Sequence, residues 1–269
     1  MTEGERVLRK EFLDGGAGMC YNTDQKAEDP VPGSQEKRKE VNSMTRTERV
    51  KFKDRPMPDY TKGEEIFNMV SHIVGAGFGV VALALTVVFS ALRGNPWSVV
   101  SSAIYGATMI LLYTVSGVYH GLHMNMGKRV MQVIDHCTIF LLIAGTYTPV
   151  ALGAIRRYSE AWCWVLFGIV WGCSALGIVF TAIDMKRFEK LAMALYLGLG
   201  WCIVMAAKPA MAAIPPAGLG WILAGGVAYT VGAVLYGLGS RHRYMHSVFH
   251  IFVVAGSVLQ FFGIFFYVI

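Results

Sequence analysis

IFNMVSHIVGAGFGVVALALTVVFSAL, residues 66–92, runs for 27 positions without an Asp, Glu, Lys or Arg. As an α-helix rising 1.5 Å per residue it would extend about 40 Å, more than the roughly 30 Å of a bilayer's hydrocarbon core. Six further apolar segments follow at 97–122, 130–152, 161–183, 191–209, 217–239 and 246–269. Short polar breaks separate them, such as Arg93-Gly94-Asn95-Pro96, Asn125-Met126-Gly127 and Pro215-Pro216, of the length that joins antiparallel helix neighbours. The 269 residues are 54% hydrophobic and only 16% charged, a balance foreign to soluble domains. The expected fold is an all-α membrane protein, a seven-transmembrane helix bundle over residues 64–269 placed in the cell membrane.

Residues 1–63 differ in kind. They are rich in Glu, Lys, Arg, Gly and Pro, with runs such as Glu36-Lys37-Arg38-Lys39-Glu40, and read as a disordered charged tail. No apolar stretch in them resembles the hydrophobic region of a signal peptide. Of the 24 Lys and Arg, twenty fall in the tail and on the loops that share its side of the bundle. Arg93, Arg156, Arg157 and Lys208 fall on the other side. Because short cytoplasmic loops retain basic residues, the N-terminus is expected inside and the C-terminus outside. The net charge of +6 is thus spent on topology and makes no basic face for nucleic acid.

Two other patterns exclude chemistry. Five cysteines lack any paired spacing, which argues against a disulfide framework or a cysteine metal site, and Cys137, Cys163, Cys173 and Cys202 read as small apolar fillers. The series Gly75, Gly77, Gly79 sits inside a spanning helix with no preceding strand, so it is no phosphate loop. With Gly117, Gly121, Gly168 and Gly172 it reads as close helix packing in lipid.

All seven histidines, His72, His120, His123, His136, His242, His246 and His250, map to helix ends or loops on the inner side. Any one of them alone reads as an interfacial residue or a bonded partner inside the bundle. Together with Asp135 they are too costly to bury without a shared partner, since an ionisable side chain facing lipid costs about 3 kcal/mol. His246 and His250, four apart, share a helix face, as do Ser116 and His120. These groups and Asp135 can converge at one depth. Three neutral nitrogens with a fourth position left open make a catalytic zinc site. Asn68 and His72, again four apart, are candidates for orienting a ligand or the aspartate from a second layer, or for capping the first helix at the interface.

The chain resembles the hemolysin III branch of the superfamily that also contains the progestin and adiponectin receptors and, more distantly, the alkaline ceramidases. The resemblance rests on Glu64-Glu65-Ile66-Phe67-Asn68 with His72, on Ser116-Gly117-Val118-Tyr119-His120, and on Asp135-His136 followed by Ala144-Gly145-Thr146-Tyr147-Thr148-Pro149. It is completed by His246-Ser247-Val248-Phe249-His250, and it runs from about residue 60 to the end. It implies zinc held by His120, His246 and His250, with Asp135 contacting the zinc's water and Ser116 belonging to the site. His123 and His136, close in sequence, are alternative ligands. The tail is outside the family pattern.

Three functions are then in view. The ceramidase-like members imply a zinc-dependent hydrolase of an amide-linked membrane lipid, with Asp135 and Ser116 as catalytic residues. The family's name implies a lytic or pore-type protein, although the outer halves of the spans are mostly Leu, Val, Ile, Ala and Gly and offer no polar path. A zinc-stabilised sensor or receptor is the third. No sequence signal speaks to oligomeric state.

Overall fold

The computed structural model of the chain describes residues 52, 55, 57–239 and 242–269. The tail assigned to 1–63 lies almost wholly outside them. Among the described residues every regular element is helical: α1 (Lys62–Leu92), α2 (Pro96–Gly121), α3 (Met126–Thr148), α4 (Glu160–Asp184), α5 (Glu189–Gly200), α6 (Ala207–Ala213), α7 (Pro216–Gly239) and α8 (Met245–Tyr267). Six of the helices are long and apolar enough to cross a membrane, and the protein is a multi-pass membrane protein.

Local chemistry sets the boundaries. Thr61 caps α1 in a reciprocal box, its hydroxyl accepting from Glu64 N while Glu64 Oε2 accepts from Thr61 N. Gly94, at φ 69°, turns the chain, and Asn95 caps α2 ahead of Pro96. Asn125 caps α3 by accepting from Lys128 N at 2.9 Å. Pro149 cannot donate to the ladder of α3, and the helix passes into a π-helical stretch, Pro149–Ile155, before ending at Tyr158.

α1 packs along α2, α2 along α3 and α3 along α4, while α8 packs along α7 and returns against α1. α3 is the most enclosed of the long helices. The core between them is built on Tyr105, Met109 and Tyr113 of α2 and Phe140 of α3, all fully buried. The cysteines at 137, 163, 173 and 202 are free.

The charges segregate by end. Lys128 meets Glu65, Tyr244 N donates to Glu64, and Arg55 pairs with Asp184 at 3.4 Å, all at the end where α1 begins. At the opposite end Arg93 donates to the Ile269 carbonyl and Arg157 to the Val268 carbonyl, while Arg156 lies over the Trp97 ring.

The fifth apolar segment departs from the expected single span. Between α5 and α6 the chain forms only a short 3₁₀ turn, Cys202–Val204. A break in a membrane helix frees backbone groups that lipid cannot satisfy. Here Tyr147 of α3 partners two of them: its phenol donates to the Gly200 carbonyl at 2.8 Å and accepts from Ile203 N at 3.0 Å. α5 makes only light contact with α3 and α7, and a cavity of about 400 Å³ lies beside it.

The glycines divide. A Cβ on Gly75 would meet the Tyr113 ring at 2.7 Å and one on Gly121 would meet Met69 at 3.0 Å, as packing requires. Gly168 and Gly172 of α4 are exposed with open space before them, so the tight-packing expectation fails there. The face of α4 that carries them is turned away from the bundle.

Candidate metal centre

His120 comes from the last turn of α2, and His246 and His250 from the first two turns of α8. One ring nitrogen from each lies within 4.8 Å of the others, the one such grouping of His, Cys, Asp or Glu among the described residues. His120 and His250 are each 2% exposed. The Nε2 atoms of His246 and His250 stand 3.0 Å apart. Two nitrogens on one tetrahedral zinc, each at about 2.0–2.1 Å, would be separated by roughly 3.3 Å, so the spacing is close to the edge of such a site. His120 Nε2 is buried with no hydrogen-bond partner. A buried, unpartnered imidazole nitrogen on a ring grouped with two others fits a shared cation better than it fits a hydrogen-bonded core.

Each ring is held by a different neighbour. Glu65 Oε2 lies 2.6 Å from His120 Nδ1, and Lys128 Nζ donates to the other oxygen of the same carboxylate at 2.7 Å. The Tyr60 ring stacks on His246 with centroids 4.9 Å apart, and Tyr236 lies 5.4 Å from His246. His72 stacks on His250 at 3.8 Å. Burial pushes the Tyr60 phenol above its ordinary range, with Tyr236 a lesser cause, so it stays protonated.

Asp135 and Ser116 line the cavity together with His72, His246 and His250. Ser116 lies beside the Asp135 carboxylate, which is also 3.7 Å from His136 Nδ1. From this end the cavity continues past Leu112, Ile139, Leu142 and Val253 to Tyr147 and Trp201. Asp135 to Tyr147 is twelve residues of α3, about 18 Å of helix. The lining is largely apolar, and the volume falls in the ordinary range for small-molecule sites.

The structure therefore brings together Ser116, His120, Asp135, His246 and His250. It places His72 against His250 by stacking, whereas the side chains of Asn68 and His72 are buried and make no hydrogen bond among the described residues. His136 Nδ1 is 2.9 Å from the Gln132 carbonyl of its own helix and His136 stays outside the grouping. His123 and His242 are exposed. Two residues that the sequence reading assigned no role complete the site. Glu65 was legible in principle, since Glu65, Asn68 and His72 follow the spacing of one helix face. Tyr60, at the edge of a polar stretch, carried no such signal.

Residues 60–261 match the model of the family described as Haemolysin-III related. The chain is 36% identical over 208 residues to the Hemolysin-3 homolog of Bacillus subtilis, covering 77% of this chain and 96% of that one. It is 35% identical over 206 residues to Hemolysin-3 of Bacillus cereus, covering 77% and 92%. A more distant relative is the human Monocyte to macrophage differentiation factor, 21% identical over 187 residues, covering 64% of this chain and 72% of that protein. No solved structure matches the chain.

Proposed function

This chain belongs to the haemolysin-III-related family, and from that premise we propose that it is a zinc-dependent hydrolase of an amide-linked membrane lipid. The observation that carries the reading is that His246 and His250, grouped with His120, line one end of a largely apolar cavity that Asp135 and Ser116 also line. Three imidazoles, with no fourth ligand grouped with them among the described residues, leave room for a reactant, as catalytic zinc sites do. Bound there, zinc would supply Lewis acidity toward a carbonyl and make water more acidic.

The chain's own groups have separable tasks. Asp135 accepts a proton from the attacking water at a carboxylate oxygen and later returns it to the leaving amine. Ser116 donates a hydrogen bond to that water or to the oxygen that gains charge. The apolar stretch from Leu112 to Val253 holds an acyl chain and keeps bulk water from the reacting atoms.

Purified protein in mixed micelles, given fluorescent N-acyl lipids, tests the reading. Turnover is expected from the zinc-loaded protein, with a loss of at least 10²-fold in Asp135→Ala and in chelated protein, and a smaller loss in Ser116→Ala. Equal turnover in all of these, or none in any with metal bound, would overturn it.

Two relatives named for haemolysis, the Hemolysin-3 proteins of Bacillus, keep a lytic reading in view. Against it, Val150, Leu152, Ile155, Ile214 and Ile264 fill the end of the bundle beyond Tyr147, and a pore needs a polar path through that layer. Dye release from liposomes that is unchanged by His246→Ala would favour lysis.

A further inference from the structure

Glu65 stands at the junction of three elements. Its Oε2 is 2.6 Å from Nδ1 of His120, at the end of α2, and its Oε1 accepts from Lys128 Nζ, at the start of α3. Lys128 also donates to the Leu122 carbonyl at 2.9 Å, which ties the loop after α2 to the same group. The side chains of His120 and Lys128 are 0% and 4% exposed. A buried lysine with one carboxylate partner holds that partner as an ionised acceptor. An acceptor-only oxygen at Nδ1 requires a proton on Nδ1, and in the neutral imidazole that a metal needs this leaves the Nε2 lone pair free. That Nε2 is the atom without a partner, and with Nδ1 taken by Glu65 it is the ring nitrogen left for an ion shared with His246 and His250.

We propose that Glu65, itself held by Lys128, is the positioning residue of the metal centre, selecting the Nδ1-protonated form of His120 and aiming its Nε2 at the ion. The inference rests on the reading of His120, His246 and His250 as ligands. Glu65 touches no reacting atom. Carboxylates that orient metal-bound histidines in this way typically govern 10- to 100-fold in metal affinity.

Glutamine in place of Glu65 separates positioning from simple packing. Its carbonyl would turn to the Lys128 ammonium and its amide group would then face His120 Nδ1, favouring the wrong form of the imidazole. Zinc affinity, measured by chelator competition on the full chain, should therefore fall about 10- to 100-fold in Glu65→Gln. Adding Lys128→Met frees the glutamine carbonyl to accept from His120, so the double variant should recover part of that loss. A packing defect would be made worse by the second change.

Nitrogen chemical shifts of His120 in the unaltered protein give a second readout that needs no variant to fold. Protonated Nδ1 is expected, and protonated Nε2 would overturn the inference. So would unaltered zinc affinity in Glu65→Gln while His246→Ala loses the ion. If His246→Ala keeps zinc at full affinity, the ligand reading itself has failed.

Discussion

The ring of Tyr60 lies flat on that of His246, with centroids 4.9 Å apart and planes 15° from parallel. Tyr60 precedes the cap of α1, so a segment outside the long helices forms part of the wall around the histidines. Met57 and Pro58 line the same cavity. The stacking bears on how fast the site exchanges its ion, because a ring covering a ligand blocks the approach of a competing chelator.

Tyr60→Ala should speed the transfer of zinc to a chelator while leaving its stoichiometry at about one per chain. Stopped-flow release measured with a colorimetric chelator checks this. Unchanged release kinetics would mean that the stacked ring does not guard the site.

The three histidines act as one site if they share an ion. His120→Ala, His246→Ala and His250→Ala are each expected to lose about one zinc per chain by elemental analysis. His123→Ala and His242→Ala, at exposed positions, should keep it. Zinc should also raise the unfolding temperature of the wild type, since a ligand bound only to the native state stabilises it. No such shift is expected for His246→Ala.

Tyr147 meets two of the backbone groups at the break between α5 and α6. Tyr147→Phe leaves the Ile203 N–H and the Gly200 carbonyl without that partner. Each buried unsatisfied group costs about 1–3 kcal/mol, so a loss of a few kcal/mol is expected. Denaturant titration in detergent reads it. Hydrogen exchange should localise the loosening to residues 197–207, and an effect spread evenly over the bundle would contradict the assignment.

Gly106 of α2 faces α1 so closely that an added Cβ would fall 2.7 Å from Leu83 Cα. Backbone cannot yield as a flexible side chain can, and overpacking of this kind costs about 1–3 kcal/mol. Gly106→Ala should lower the unfolding midpoint by that amount. Gly77→Ala, with nothing within 4 Å, should leave it unchanged or raise it slightly. A similar response from both would show that α1 and α2 do not approach as described.

The sequence by itself determined the membrane class, the existence of the long helices and the end of the bundle at which the histidines lie. These follow from apolar run length, loop charge and helical period, which are local properties readable from neighbours in the chain. The spacings His246/His250 and Ser116/His120 placed each pair on one face for the same reason. Only the tertiary structure decided that α2 and α8 bring their faces to a common point, because the approach of helices over a hundred residues apart depends on packing and not on period. It also decided that the fifth span is broken. A helix interruption in lipid persists only where another element satisfies the freed backbone, and that element, Tyr147, lies more than fifty residues earlier. Glu65 followed the same rule: its helix face was legible in the sequence, and its partners on α2 and α3 were not.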